Sequence, residues 1–219
     1  MRKISKILKE DDLGDMGIGA MILFIAIVLV AAIAASVLIQ TANRLEIQAM
    51  ATGQETTREV STGLAVIDIE GLNESGLIVK MTISIRARAG SGDIDLNQTI
   101  IELTDGMKKT LLTYDPLEYD NITDDDGDVF ENASWAMNEE HFGILVIQDA
   151  DGSLSPTNPV INHGDIVMLC INTSLCFSDN GGLMQRDKIQ GLIIPEQGAP
   201  ATFSFRVPSS LTEAIYDLY

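Results

Sequence analysis

Residues 18–39 include no charged side chain, and Ser36 is the only polar one among them. A helix rising ~1.5 Å per residue lets such a run cross the roughly 30 Å hydrocarbon layer of a bilayer. It is too long for the apolar part of a secretory signal, and no small-residue cleavage pattern follows it. A charged stretch precedes it, with Arg2, Lys3, Lys6 and Lys9 ahead of Gly14. Positive charge on that side stays in the cytoplasm, so the chain beyond the helix is expected outside. Past Ile39 the pattern turns amphipathic, with Gln40, Asn43, Arg44, Glu46 and Gln48 mixed among Leu45, Ile47 and Met50. The spacing predicts one helix over residues 16–62, about 70 Å long, which Gly53 is expected to weaken locally.

Gly14 stands before the apolar run, not after it. A cut there removes only the charged leader and keeps the hydrophobic segment on the mature chain. That segment is rich in small residues: Ala20, Ala26, Ala31, Ala32, Ala34, Ala35 and Ser36. Small side chains let helix backbones approach closely in an apolar setting. The core-forming positions expected from this are Ile18, Ile22, Phe24, Ile25, Val28, Leu29, Ala32, Ile33 and Val37.

The run that begins Gly14-Asp15-Met16-Gly17-Ile18-Gly19-Ala20 and continues through Ile39 resembles the N-terminus of archaeal flagellins, the archaellins. Ala51-Thr52-Gly53-Gln54-Glu55-Thr56-Thr57-Arg58-Glu59-Val60 resembles the next segment of that family. Ile194-Pro195-Glu196-Gln197-Gly198-Ala199-Pro200 resembles a segment near its C-terminus. The three occur in the family's order. The resemblance implies a leader like that of type IV pilins, cut by a membrane aspartyl peptidase between Gly14 and Asp15. The family often has a basic residue just before that glycine, where this chain has Asp11, Asp12 and Leu13. Bacterial type IV pilins usually carry Glu at the fifth mature position; Gly19 stands there, which favours an archaellin. The implied organisation is a cleaved leader over 1–14, a filament-core and transmembrane helix over 15–62, and an extracellular domain over 63–219.

From Gly63 the periodicity changes to two-residue alternation. Val79, Met81, Ile83, Ile85 and Ala87 alternate with Lys80, Thr82, Ser84, Arg86 and Arg88, as in a half-buried strand. Ile67 and Ile69 alternate likewise with Asp68 and Glu70. Further strands are expected at 98–103, 108–114, 143–148, 165–171, 190–194 and 202–207. Turn signals separate them, among them Gly90-Ser91-Gly92-Asp93, Thr104-Asp105-Gly106 and Asn180-Gly181-Gly182. The fold class expected is α+β: a long N-terminal hydrophobic helix followed by a C-terminal immunoglobulin-like antiparallel β-sandwich. Residues 116–141 read as a long polar surface loop.

The 219-residue chain sets 32 acidic residues against 14 basic ones. Such a surface argues against nucleic acid, which rewards Lys and Arg. Asn73, Asn97, Asn121, Asn132 and Asn172 head N-x-S/T sequons and are glycosylation candidates in an external domain. Cys170 and Cys176 lie in no C-x-x-C pattern. They are read either as a small disulfide or as two buried thiols. Asp124, Asp126 and Asp128 form an acidic run, read either as a solvated loop or as a surface Ca2+ site. Aligning Gly127 with the glycine of a calcium loop puts Ile122 where the first ligand should be. His141 and His163 have no ligand partner at helical or strand spacing. No phosphate loop, G-x-S-x-G or H-E-x-x-H occurs, so neither a cofactor nor an enzyme is expected.

The expected function is a structural filament subunit. It is held in the membrane as a precursor, processed by a leader peptidase, and passed by membrane assembly machinery into a helical homopolymer that other flagellins join. In an archaellin that filament lies outside the cell and is turned at its base by a separate motor. An adhesive pilus subunit and a membrane-anchored extracellular module are the alternatives.

Overall fold

The computed structural model describes residues 2–122, 127–132, 134–135 and 138–219, with side chains from residue 17 onward. The chain forms two compact units, Met1–Gln54 and Glu55–Tyr219. One helix, α1 (Arg2–Ser61), holds every described residue of the first unit and the opening residues of the second. It starts upstream of the expected boundary because the leader has no proline to break it, and it runs through Gly53. Nothing approaches within 4 Å of where a Cβ on Gly53 would lie.

The second unit holds twelve strands among the described residues: β1 (Leu64–Glu74), β2 (Leu77–Ala87), β3 (Ile94–Asp95), β4 (Ile100–Thr104), β5 (Lys109–Asn121), β6 (His141–Gln148), β7 (Leu154–Ser155), β8 (Asn158–Ile161), β9 (Ile166–Ile171), β10 (Lys188–Ile194), β11 (Ala201–Arg206) and β12 (Ile215–Asp217). A one-turn helix, α2 (Thr173–Cys176), follows β9. Nine strands form one sheet in the order β11-β10-β4-β5-β6-β9-β2-β1-β12, and β3-β8-β7 form a small second sheet. The pairing is antiparallel except between β5 and β6, which run parallel. A parallel neighbour needs a crossover of about a dozen residues or more, and the stretch after Asn121 supplies it. The long polar segment is therefore a connection that the topology requires.

The alternation in β1, β2 and β11 sends one set of side chains inward. Leu64, Ile69, Met81, Ile83, Ile85, Ile101, Leu103, Phe142, Ile144, Leu169, Ile193, Phe203 and Phe205 share one buried cluster drawn from both ends of the sheet. Those ends meet where Gly63 bridges Ala199, so the sheet rolls up on its core. Burying each large apolar side chain contributes about 1.5–3 kcal/mol.

A second, smaller cluster lies on the outer face of β6, β9 and β2. It comprises Phe130, Trp135, Leu145 and Cys170, with Leu72, Ile122, Val129 and Met168 packed against it. Phe130 and Trp135 stack with ring centroids 5.6 Å apart. Lys80 lies 4.8 Å from the Trp135 ring centre, and its Nζ donates to the Phe130 carbonyl at 2.5 Å. This corrects the free-loop reading of 116–141. Two aromatic residues in a polar stretch gain more by covering the sheet than by facing water. Thr82 and Ser84, expected on the wet face of β2, are buried too, and they stand in register with Cys170 and Met168 of this cluster. Gly143 allows the close approach: a Cβ there would fall 1.6 Å from the Ser134 carbonyl oxygen.

The tip of the β4–β5 hairpin is tied off locally. Asp105 Oδ1 accepts from the backbone N–H groups of Met107 and Lys108, each at 2.7 Å, leaving Met107 98% exposed.

Candidate functional site

Polar chemistry concentrates in the second unit, whereas the apolar segment of α1 is bare. From Gly17 to Ser61 the helix is long and apolar enough to cross a membrane, and none of its apolar window is buried. Ile18, Ile22, Phe24, Ile25, Val28, Leu29, Ala32, Ile33 and Val37 are all exposed; Phe24 stands at 69%. Apolar residues occur all around the helix, the pattern of a segment enclosed on every side by lipid or by other helices. Gly14 and Asp15 lie within α1, but their side chains are outside the described set.

The last two turns of α1 are fastened to the sheet inside the second unit. Arg58 donates from its guanidinium to Gln197 Oε1. Thr62 N–H closes the helix on the Arg58 carbonyl at 2.8 Å, and Ala199 N–H donates to the Thr62 carbonyl at 2.9 Å. Gly198 sits at φ +95°, with no room for a side chain: a Cβ would lie 2.2 Å from the Thr62 carbonyl oxygen. The Pro195-Glu196-Gln197-Gly198-Ala199-Pro200 run thus acts as a clasp on the helix end. A cavity of about 390 Å³ lies beside it, lined by Glu55, Arg58, Glu59, Thr62 and Glu196.

The five sequons differ in their surroundings. Asn97 is exposed, and its carboxamide makes no hydrogen bond among the described residues. Asn73 Nδ2 donates to the Glu213 carbonyl at 2.8 Å, and its Oδ1 accepts from Gly76 N–H. Asn132 Nδ2 donates to the Val129 carbonyl at 2.7 Å, and the hydroxyl residue of its sequon, Ser134, is fully buried. Asn172 Oδ1 accepts from Ser174 Oγ at 2.7 Å, with Thr173 buried between them. Asn121 ends β5 half-buried.

Both cysteines are free and buried in this structure, the arrangement of the buried-thiol alternative. The pleat of β9 sends Cys170 into the outer aromatic cluster, whereas Cys176 packs in the main core. Burial pushes each thiol up to about 12.

Asp124 and Asp126 fall outside the described residues. Asp128 is exposed, and its Oδ1 accepts from Phe130 N–H at 2.8 Å, which shapes the turn into the aromatic cover. Among the described residues, two other groups bring ligand atoms within 4.8 Å of one another: Asp149, Asp151 and Asp165; and Asp115, Glu118 and His141. Oxygen sets, or oxygens with one imidazole, are the kinds that hold divalent cations. Asp165 is buried and accepts from Ala150 and Asn162 N–H. Hydrogen bonds from Asn162 and Ser153 hold Asp151 below the usual carboxylate range. The sequence signal for the first group is the D-x-D-G pattern of Asp149-Ala150-Asp151-Gly152. His141 Nδ1 lies 3.2 Å from Asp115 Oδ2 across the β5–β6 pair, a meeting that no linear spacing displays.

The sequence pattern of archaeal-type flagellin matches residues 14–205. Flagellin B2 of Methanocaldococcus jannaschii is 47% identical over 199 residues, covering 90% of each chain. Flagellin B3 of the same organism is 41% identical over 212 residues, covering 94% of this chain and 95% of that one. Among solved structures, the crystal structure of archaeal flagellin FlaB1 from M. jannaschii superposes with a TM-score of 0.64 at 33% identity, over 72% of this chain and 96% of that one. The archaeal flagellum of Methanospirillum hungatei strain JF1 shares the fold, with a TM-score of 0.59 at 16% identity, over 92% and 98% of the two chains. A bare hydrophobic helix, a rolled β domain and this match along most of the chain agree: the chain belongs to the archaeal-type flagellin family, as a structural subunit of the archaeal flagellum and not an enzyme.

Proposed function

We propose that the chain is made as a membrane-held precursor, cut between Gly14 and Asp15, and moved by membrane assembly machinery into an extracellular filament built on residues 18–39. The carrying observation is the exposure of every large apolar side chain in that segment. Each would cost about 1.5–3 kcal/mol in water, so the segment needs an apolar partner at every stage. Lipid serves first. Copies of the same helix serve afterwards, and the transfer between them exposes little apolar surface. Contacts that do not close on themselves extend such an assembly into a filament. Homologous flagellins can enter the same lattice.

The acidic sheet domain then forms the outer shell, and Asn97 is the sequon best placed to carry a glycan on it. N-terminal sequencing of sheared surface filaments tests the reading. The expected result is a single start at Asp15. Chains that begin at Met1 and occur only in membranes would overturn it. Mass spectrometry of the same filaments should find any glycan on Asn97 before Asn132, whose carboxamide is already committed.

A further inference from the structure

Between residues 17 and 54, α1 carries two charged side chains, Arg44 and Glu46. Both are exposed, set among Leu45, Ile47 and Met50, which are 67%, 69% and 59% exposed. Helix ion pairs form between residues three or four apart. For Arg44 those positions hold Gln40, Thr41, Ile47 and Gln48; for Glu46 they hold Ala42, Asn43, Ala49 and Met50. Neither charge can be answered within its own helix. Two residues apart also means about 200° around the axis and ~3 Å along it. One helix therefore shows a guanidinium on one flank and a carboxylate on nearly the opposite flank, at one level.

We propose that Arg44 of one copy pairs with Glu46 of the next copy, and that this contact repeats from subunit to subunit. The proposal rests on the filament reading above and adds its register. A two-fold dimer would need both charges on one shared face, and they are not on one face. The arrangement fits head-to-tail association, in which every copy uses one flank to give and the other to receive. Leu45, Ile47 and Met50 close around the pair when helices pack. Water is then excluded, so a mismatched register would leave a charge buried and unpaired, which is strongly unfavourable. A single polar contact in an apolar seam fixes alignment in this way. Being enclosed, the pair should resist added salt better than a surface pair would.

The test uses the full chain, expressed in cells that build filaments, with sedimentable filament as the readout. Arg44→Glu alone and Glu46→Arg alone should each abolish filaments while membrane-held subunit stays at the wild-type level. The double variant R44E/E46R should restore them. Co-expression of the two single variants should also restore them. In alternating copies, the carboxylate that R44E introduces meets the guanidinium that E46R introduces, and the unaltered Arg44 of one variant meets the unaltered Glu46 of the other. That rescue cannot come from misfolded subunits. Filaments of wild-type yield and heat resistance from R44E would overturn the pair. So would a co-expression no better than either variant alone, or rescue of R44E by E55R or E59R instead of E46R. Absence of filaments from the wild-type chain would instead overturn the filament reading itself.

Discussion

The clasp at Gly198 makes a sharp prediction for Gly198→Ala. At φ +95° an alanine is strained, at about 1–2 kcal/mol. Its Cβ would also sit 2.2 Å from the Thr62 carbonyl oxygen and 2.5 Å from the carbon behind it. Both are backbone atoms, so no side chain can turn aside. The segment must move out by roughly 1 Å, which breaks the Ala199-to-Thr62 hydrogen bond and loosens the Gly63–Ala199 bridge. A lost hydrogen bond of this kind costs about 1 kcal/mol. The expected destabilisation is therefore about 3 kcal/mol, or ~6–12 °C in the Tm of a domain this size. Calorimetry on residues 55–219 measures it directly. Gly92→Ala is the control, because nothing lies within 4 Å of its added Cβ and its φ is ordinary. It should stay within about 0.5 kcal/mol of wild type or gain slightly. A Gly198→Ala protein melting within ~2 °C of wild type would show that the clasp does not hold the helix end.

Burial together with Asp68 and Asp217 raises the Glu70 pKa. A carboxyl with a raised folded-state pKa favours the folded state at low pH and loses that advantage as pH rises through the folded value. Glu70→Gln should therefore raise Tm at pH 7, with the gain shrinking as pH falls towards the ordinary glutamate value; equal gains at pH 7 and pH 4 would refute the assignment. The cysteines should be silent to a thiol reagent at pH 8 until the domain unfolds, and a reductant should leave Tm unchanged; a reductant-sensitive Tm would point to a disulfide. Ala32→Lys should leave synthesis intact and abolish filaments, since a lone buried charge is very costly; wild-type filament length would mean that Ala32 faces outward.

The helix was legible because its signal is local: residues 18–39 are apolar on every side, and no tertiary context could make them a surface loop. The inward set of β2 was legible for the same reason. Thr82 and Ser84 were not, because the outer face they share with Cys170 and Met168 carries a second apolar cluster that alternation within β2 does not reveal. The segment holding Phe130 and Trp135 misled in turn: its many acidic residues hid two aromatic rings that decide its placement. The Asp149, Asp151 and Asp165 group was half visible as D-x-D-G, while Asp165 joins it through the turn before β9. The Pro195–Pro200 run could be recognised from its likeness to flagellins, but its work on Thr62 is tertiary and has no periodicity to betray it.

The stacked cover of Phe130 and Trp135 also decides where the outer domain can accept foreign sequence. A peptide tag or dye-bearing insert within 128–135 would lift both rings from β6 and β9 and expose Cys170 and Leu145, however polar the stretch looks. At Gly106 and Met107 the same insert would extend from a hairpin whose register is set by the β4–β5 ladder beneath it. Reporters meant to follow a moving filament by light microscopy belong at that hairpin tip, where an added load leaves the domain's folding untouched.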